Sequence, residues 1–220
     1  MPRPTETALR SRARALLEAM TERARWVYAL PLGVLEDTVR PILEARGLGL
    51  EEEDKQGRAM RFSNGTGTAD FAVFESADLD VTMIEGSGSD APPLLAEILE
   101  RTGFFAQSTL VSTALDIGDE EAPKALRTLA HMVVAWDEDW SDLFLLHLAS
   151  PDAVVRHEAT LGLAIAAMVA RDPGPAPALL DEALRREKFP KLAETMRETA
   201  NLVRGAFGAP VEVDPEADAF

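Results

Sequence analysis

The sequence predicts an α+β protein: an antiparallel meander with flanking helices, followed by an all-α region of helical hairpins. Three observations carry this. Between residues 59 and 83 the apolar period is two: Met60 and Phe62 alternate with Ala59 and Arg61, Phe71 and Val73 with Ala72 and Phe74, and Leu79, Val81 and Met83 with Asp80 and Thr82. Two turn signals, Asp54-Lys55-Gln56-Gly57 and Asn64-Gly65-Thr66-Gly67, separate the runs. From residue 140 the period becomes helical, and Ser150-Pro151-Asp152 divides a short apolar helix from a long one.

Residues 5–29 place Leu9, Ala13, Leu16, Met20, Ala24 and Val27 at helical spacing, with arginines on the other face. They read as a basic amphipathic helix packed on the rest of the protein, and Pro31 and Gly33 end it. Residues 34–45, with Leu35, Val39, Ile42 and Leu43 on one side, read as a second helix stopped at Gly47. The meander follows and closes in the Gly/Ser/Asp/Pro-rich loop 86–93. Residues 94–101 read as a short helix. Residues 109–117 read as a further strand, because Val111, Thr113, Leu115 and Ile117 alternate. A helix capped near Asp119 runs to about Trp136, with Leu126, Leu129, Ala130, Val133 and Val134 inside.

In the helical region, residues 140–148 supply Leu143, Phe144, Leu145, Leu146 and Leu148. Ser150 is the expected N-cap, Pro151 the first helical residue, and Asp152 a negative charge at the positive end of the helix dipole. Residues 154–170 are apolar almost all round, so this helix must be covered on more than one side. Leu161 and Ile165 are expected at its packed centre. Asp172-Pro173-Gly174-Pro175 stops it, and two amphipathic segments follow. One carries Leu179, Leu180, Ala183 and Leu184; the other carries Leu192, Met196, Leu202 and Val203 and ends at Gly205. The expected organisation is an α+β domain over 1–137, a helical-hairpin region over 138–208, and an acidic tail over 209–220 with little to bury.

The run Leu145-Leu146-His147-Leu148, followed by Ser150-Pro151-Asp152, Val155-Arg156 and Ala159, resembles a HEAT repeat. The resemblance covers residues 140–171 and extends towards 205. It implies stacked helix pairs that form a scaffold for other proteins. An ordinary all-α subdomain with one well-capped hairpin is the other reading of the same residues. The order α-β-β-β-α-β-α over residues 33–136 resembles the type III secretion chaperone-like fold. That resemblance lies in topology, in the Gly47-Leu48-Gly49-Leu50 entry and in the step at 113–127. It implies a non-catalytic module that binds another protein and often forms a homodimer. The extra N-terminal helix and the all-α tail depart from that family.

Composition narrows the function classes. The chain has 220 residues and 46% apolar content, ample for a core in one domain or two small ones. It has no cysteine, which excludes disulfides, a thiolate nucleophile and a cysteine zinc site. The formal net charge is −16. Residues 1–46 have eight arginines against six acids, so the excess of negative charge lies in the remainder. Such a field repels phosphate backbones, so no nucleic-acid partner is expected from the body of the protein. It favours a basic protein partner, or serves solubility alone. No secretory leader and no membrane-spanning run is read, so the expected protein is cytoplasmic, without stable membrane insertion. Abundant Ala, and Arg in excess of Lys, point to a bacterial source.

The candidate chemistry is sparse. His157-Glu158 begins a zinc-protease motif, but Leu161 stands where the second histidine belongs. His131 and His147 sit on helices among apolar residues and read as packing. Asp137, Glu138, Asp139 and Asp142 form a tight acidic group without the glycine and closing glutamate of a calcium loop, so helix capping is the simpler role. Glu51, Glu52, Glu53 and Asp54 could grip a basic partner or form a solvated turn. Gly86-Ser87-Gly88-Ser89 lacks the Gly-Lys of a phosphate cradle, and no nucleophile elbow is present. Trp26, Trp136 and Trp140 read as core. No catalytic, cofactor-binding or metal-binding residue is assigned. The two acidic groups are the candidate partner-binding residues. The expected function is a non-catalytic interaction module of scaffold, adaptor or chaperone-like kind. The alternative is an acidic inhibitor or immunity protein that covers a basic toxin or enzyme site. An enzyme with dispersed catalytic residues stays open.

Overall fold

The computed structural model describes residues 25–208. Of the helix expected over residues 5–29, the part up to residue 24 lies outside the described residues, as does the acidic tail over 209–220. The fold is α+β, a five-stranded antiparallel sheet followed by helices. The chain divides into two compact units, the first ending at Ala106 and the second beginning at Gln107.

The first unit holds the sheet, in the order β1-β5-β4-β3-β2. Its strands are β1 (Arg25–Pro31), β2 (Gly49–Glu53), β3 (Ala59–Ser63), β4 (Asp70–Ser76) and β5 (Val81–Ser87). Residues 25–29, expected as the end of a helix, are strand. β1 pairs with β5 from Arg25↔Ser87 to Pro31↔Val81. Trp26 and Leu30 are buried in the core, with Tyr28 packed half-buried between them. Aromatic and branched residues suit this pleated surface, and the distant pairing partner overrides the helical spacing of the preceding residues.

A wide π turn, Leu35–Val39, runs into α1 (Arg40–Ala45). Pro41 has no N–H to give to the turn before it, and Arg40 N–H reaches back to Leu35 O instead. α1 stops at Gly47, as expected. Gly47 takes φ +81°, its N–H donates to Glu44 O, and Leu48 N–H donates to Leu43 O. α2 (Ala91–Thr102) crosses the same face of the sheet. Leu35, Val39, Ile42 and Leu43 meet Phe62, Phe71, Val73 and Ile84 there, and Leu95, Ile98 and Leu99 complete the core. A Cβ at Gly86 would lie 2.8 Å from Leu95 Cδ1, so glycine on β5 sets how closely α2 approaches.

The second unit is helical: α3 (Gln107–Leu115), α4 (Ala122–Ala130), α5 (Glu138–Leu148), α6 (Ala153–Ala170), α7 (Ala176–Leu184) and α8 (Pro190–Ala206). The strand expected at 109–117 is the helix α3. Of its residues only Ala114 is buried, and Leu115 is 55% exposed. The alternation of Val111, Thr113 and Leu115 therefore marks no sheet face. Because α3 packs on α4, this segment groups with the helices, and the division falls at Ala106 rather than after residue 137. α4 also ends before the expected 136, although Val133 beyond it stays buried.

α6 packs against α4, α5 and α8. Its buried face is Val155, Ala159, Thr160, Gly162, Leu163, Ala166 and Ala167, while Leu161 and Ile165 are half-buried. Small residues take the closest approaches and the larger ones fall beside them, which corrects the expectation for Leu161 and Ile165. α6 is also long and apolar enough to cross a membrane, the one described helix that is, against the reading that no segment approaches such a run. Its N-cap is Asp152, whose Oδ1 accepts from Val154 N–H at 2.8 Å. Ser150, expected in that role, is buried and accepts from Asp152 N–H in the turn. Trp26 and Trp140 are buried, but Trp136 is half-buried over Gly174, with its Nε1 donating to Asp172 O.

Candidate functional site

The two acidic groups belong to different units. Glu51, Glu52 and Glu53 are exposed on β2, the last strand of the sheet. The register shifts between Leu50 and Glu52, leaving Glu51 as the extra residue of a bulge. Glu53 lies 3.8 Å from Arg40. Asp54 sits in the following turn and accepts from Ala59 and Arg58 N–H groups, which holds its carboxyl below the usual range. Charge and a bulge on an edge strand discourage pairing with another chain. In the second unit Asp137 caps α5 by accepting from Trp140 N–H at 2.9 Å. Glu138 and Asp139 lie in the first turn of α5, where the helix dipole favours them, and Asp142 is exposed.

A more developed site lies where α5 ends, α6 begins, α7 ends and α8 begins. It is an open groove of about 420 Å³. Leu145, Leu148, Leu179, Ala183 and Phe189 supply its apolar lining. Arg156, one turn into α6, fixes one side. Its Nη1 donates to Ser150 O at 2.8 Å and Pro151 O at 3.0 Å, tying the α5–α6 turn to the helix. Its Nε and Nη2 donate to the two oxygens of Glu187. The Glu187 side chain is 1% exposed. Glu187 Oε1 also accepts from Lys188 and Phe189 N–H groups at 2.8 and 2.9 Å. The Arg156 fork, with help from these amides, holds the Glu187 carboxyl down at about 2. Arg156 also stands 5.7 Å from the centre of the Phe189 ring. Phe189 is 56% exposed and directly precedes Pro190, which favours its extended backbone.

This geometry suits holding rather than reacting. Glu187 is ionised and fully engaged near neutral pH, so it is a poor proton acceptor. The Ser150 hydroxyl is buried in its turn. His147, on α5 between Leu145 and Leu148, is fully buried, with Nε2 2.7 Å from Ala114 O. Burial pushes its pKa down and the Ala114 bond opposes that. His131 is pushed to about 4 by burial, with Arg127 adding to the effect. Among the described residues no group of three His, Asp or Glu side chains is placed to hold a metal.

The sequence reading missed this groove. Its signal was local charge: residues 185–191 read Arg-Arg-Glu-Lys-Phe-Pro-Lys, four cations around one acid in a strongly acidic chain. Compared with known protein families, characterised proteins and solved structures, the chain matches none.

Proposed function

We propose that this chain is a non-catalytic protein-interaction module, cytoplasmic and bacterial, whose helical unit holds a segment of another protein in the α5–α8 groove. The observation that carries the reading is Phe189: a large apolar ring, 56% exposed, at the rim of an apolar groove. Exposed aromatics beside apolar clefts are typical anchors of interfaces. The fork of Arg156 and Glu187 fixes the groove's wall before any partner arrives, which lowers the ordering cost of binding. The HEAT-like reading of residues 140–171 fits the same role.

The test is affinity capture from the native host with the full chain and with Phe189→Asp, read by mass spectrometry. One stoichiometric partner is expected with the native chain and none with the variant, at equal melting temperature. A partner captured equally by both removes the groove from the function. The acidic-inhibitor reading is favoured by Glu51, Glu52 and Glu53, three consecutive exposed carboxylates on β2. It predicts that a co-encoded basic toxin is silenced at a one-to-one ratio, and that charge reversal on β2 restores the toxin's activity.

A further inference from the structure

We infer that the occupant of the groove is a short acidic peptide segment with an aromatic or branched apolar anchor. The inference rests on the groove reading and names the partner's chemistry. The turn between α7 and α8 and the start of α8 expose Arg185, Arg186, Lys188 and Lys191. Two acids beside them are already engaged. Glu187 is buried against Arg156, and Glu182, on α7, bonds Arg186 just past the helix end. Arg185, Lys188 and Lys191 have no acidic partner among the described residues. The α8 N-terminus adds the positive end of its dipole here, with no side-chain cap and no acid in its first turn. The solvent-facing charge of this rim is therefore positive on a chain of net charge −16.

Charge selects the class and the lining selects the anchor. A volume of about 420 Å³ lined by leucines and Phe189 takes one or two large apolar side chains. Carboxylates flanking such an anchor would meet Lys188, and Arg186 where they displace Glu182 from it. A phosphate polymer or an anionic bilayer would extend beyond the rim onto the helical unit, where acids outnumber cations. A short peptide stays within about one Debye length, ~8 Å at physiological salt, of the rim cations.

The experiment is fluorescence anisotropy with the full chain and a labelled heptapeptide, Glu-Asp-Phe-Glu-Asp-Leu-Glu. The comparison probes are its analogue with lysine for every acid, its analogue with glycine for Phe and Leu, an oligothymidine, and vesicles of phosphatidylglycerol with phosphatidylcholine. Saturable binding of the acidic peptide is expected, weakening with salt. The pair Arg186→Glu and Lys188→Glu should lower its affinity at least about tenfold, as should the glycine analogue. Circular dichroism should show both variants folded, since these side chains are exposed. The inference is overturned if the acidic peptide does not bind, or if its binding survives both charge reversals. It is also overturned if oligothymidine or vesicles bind through Lys188 in preference to the peptide. Tighter binding of the lysine analogue, lost on Phe189→Asp, would overturn the acidic class while leaving the groove as an interaction site.

Discussion

Arg156 and Glu187, thirty-one residues apart, meet as a two-bond fork, Nε to Oε2 at 2.7 Å and Nη2 to Oε1 at 3.0 Å. The acid is shielded from solvent and the arginine nearly so. Removing Arg156 leaves the shielded Glu187 carboxylate with only its two amide donors, and breaking a buried pair costs up to about 3–5 kcal/mol. Arg156→Met should therefore destabilise the helical unit by several kcal/mol in urea unfolding. Arg156→Met combined with Glu187→Leu should recover much of that loss, because both charges then leave together. Equal stability of native chain and single variant would show that the fork contributes nothing.

Gly162 faces Phe144 across the α5–α6 contact, and a Cβ there would stand 3.0 Å from Phe144 Cε1. The neighbour must yield before any side chain fits. Gly162→Val should cost about 1–3 kcal/mol by overpacking, beyond any gain in helix propensity. Adding Phe144→Leu should return part of it. A melting temperature raised by Gly162→Val would mean that the helices separate freely at this point.

What the sequence made legible was local. The meander, its two turns and the Gly47 stop are each written within a few residues, and each is found. β1 was hidden because its partner β5 lies sixty residues away, as the Arg25–Glu85 pair across the two strands measures. α3 was misread because the alternation of Val111, Thr113 and Leu115 mimics a strand, while Ala114 alone makes the buried contact. The local runs of acids marked Glu51 to Asp54, and Asp137, Glu138, Asp139 and Asp142, as exposed or capping residues. Composition could not reveal the groove, whose walls come from residues between Leu145 and Phe189 on three helices and the two turns beside them.

The histidines give a pH dependence with a definite sign. Burial lowers His131 from 6.5 to about 4, and burial lowers His147 as well. In the unfolded chain both titrate near 6.5, so below that pH the unfolded state binds more protons than the folded one. Their contribution to stability is complete above pH 6.5 and is lost as pH falls from there towards about 4 for His131. The melting temperature should decline between pH 7 and pH 5, and His131→Gln should flatten the decline. A profile that rises on acidification over this range would sink the assignment of both as buried neutral groups.

The β2 edge separates stability from solubility. Glu51, Glu52 and Glu53 are exposed, and cross-strand pairing sets Glu52 opposite the exposed Arg61. Surface charges of this kind contribute little to folding, so Glu51→Gln with Glu53→Gln should change stability by less than about 1 kcal/mol. Apolar replacements act differently. Glu51→Val with Glu53→Val would turn an acidic, bulged strand into an apolar edge that can pair with another chain. Monomeric unfolding should again change little, yet light scattering and size exclusion should show self-association that grows with concentration. If the valine variant stays as disperse as the native chain, the glutamates are not guarding the edge. Their exposure would then have to be explained by a partner that needs them, and the glutamine variant, tested for loss of that partner, would identify it.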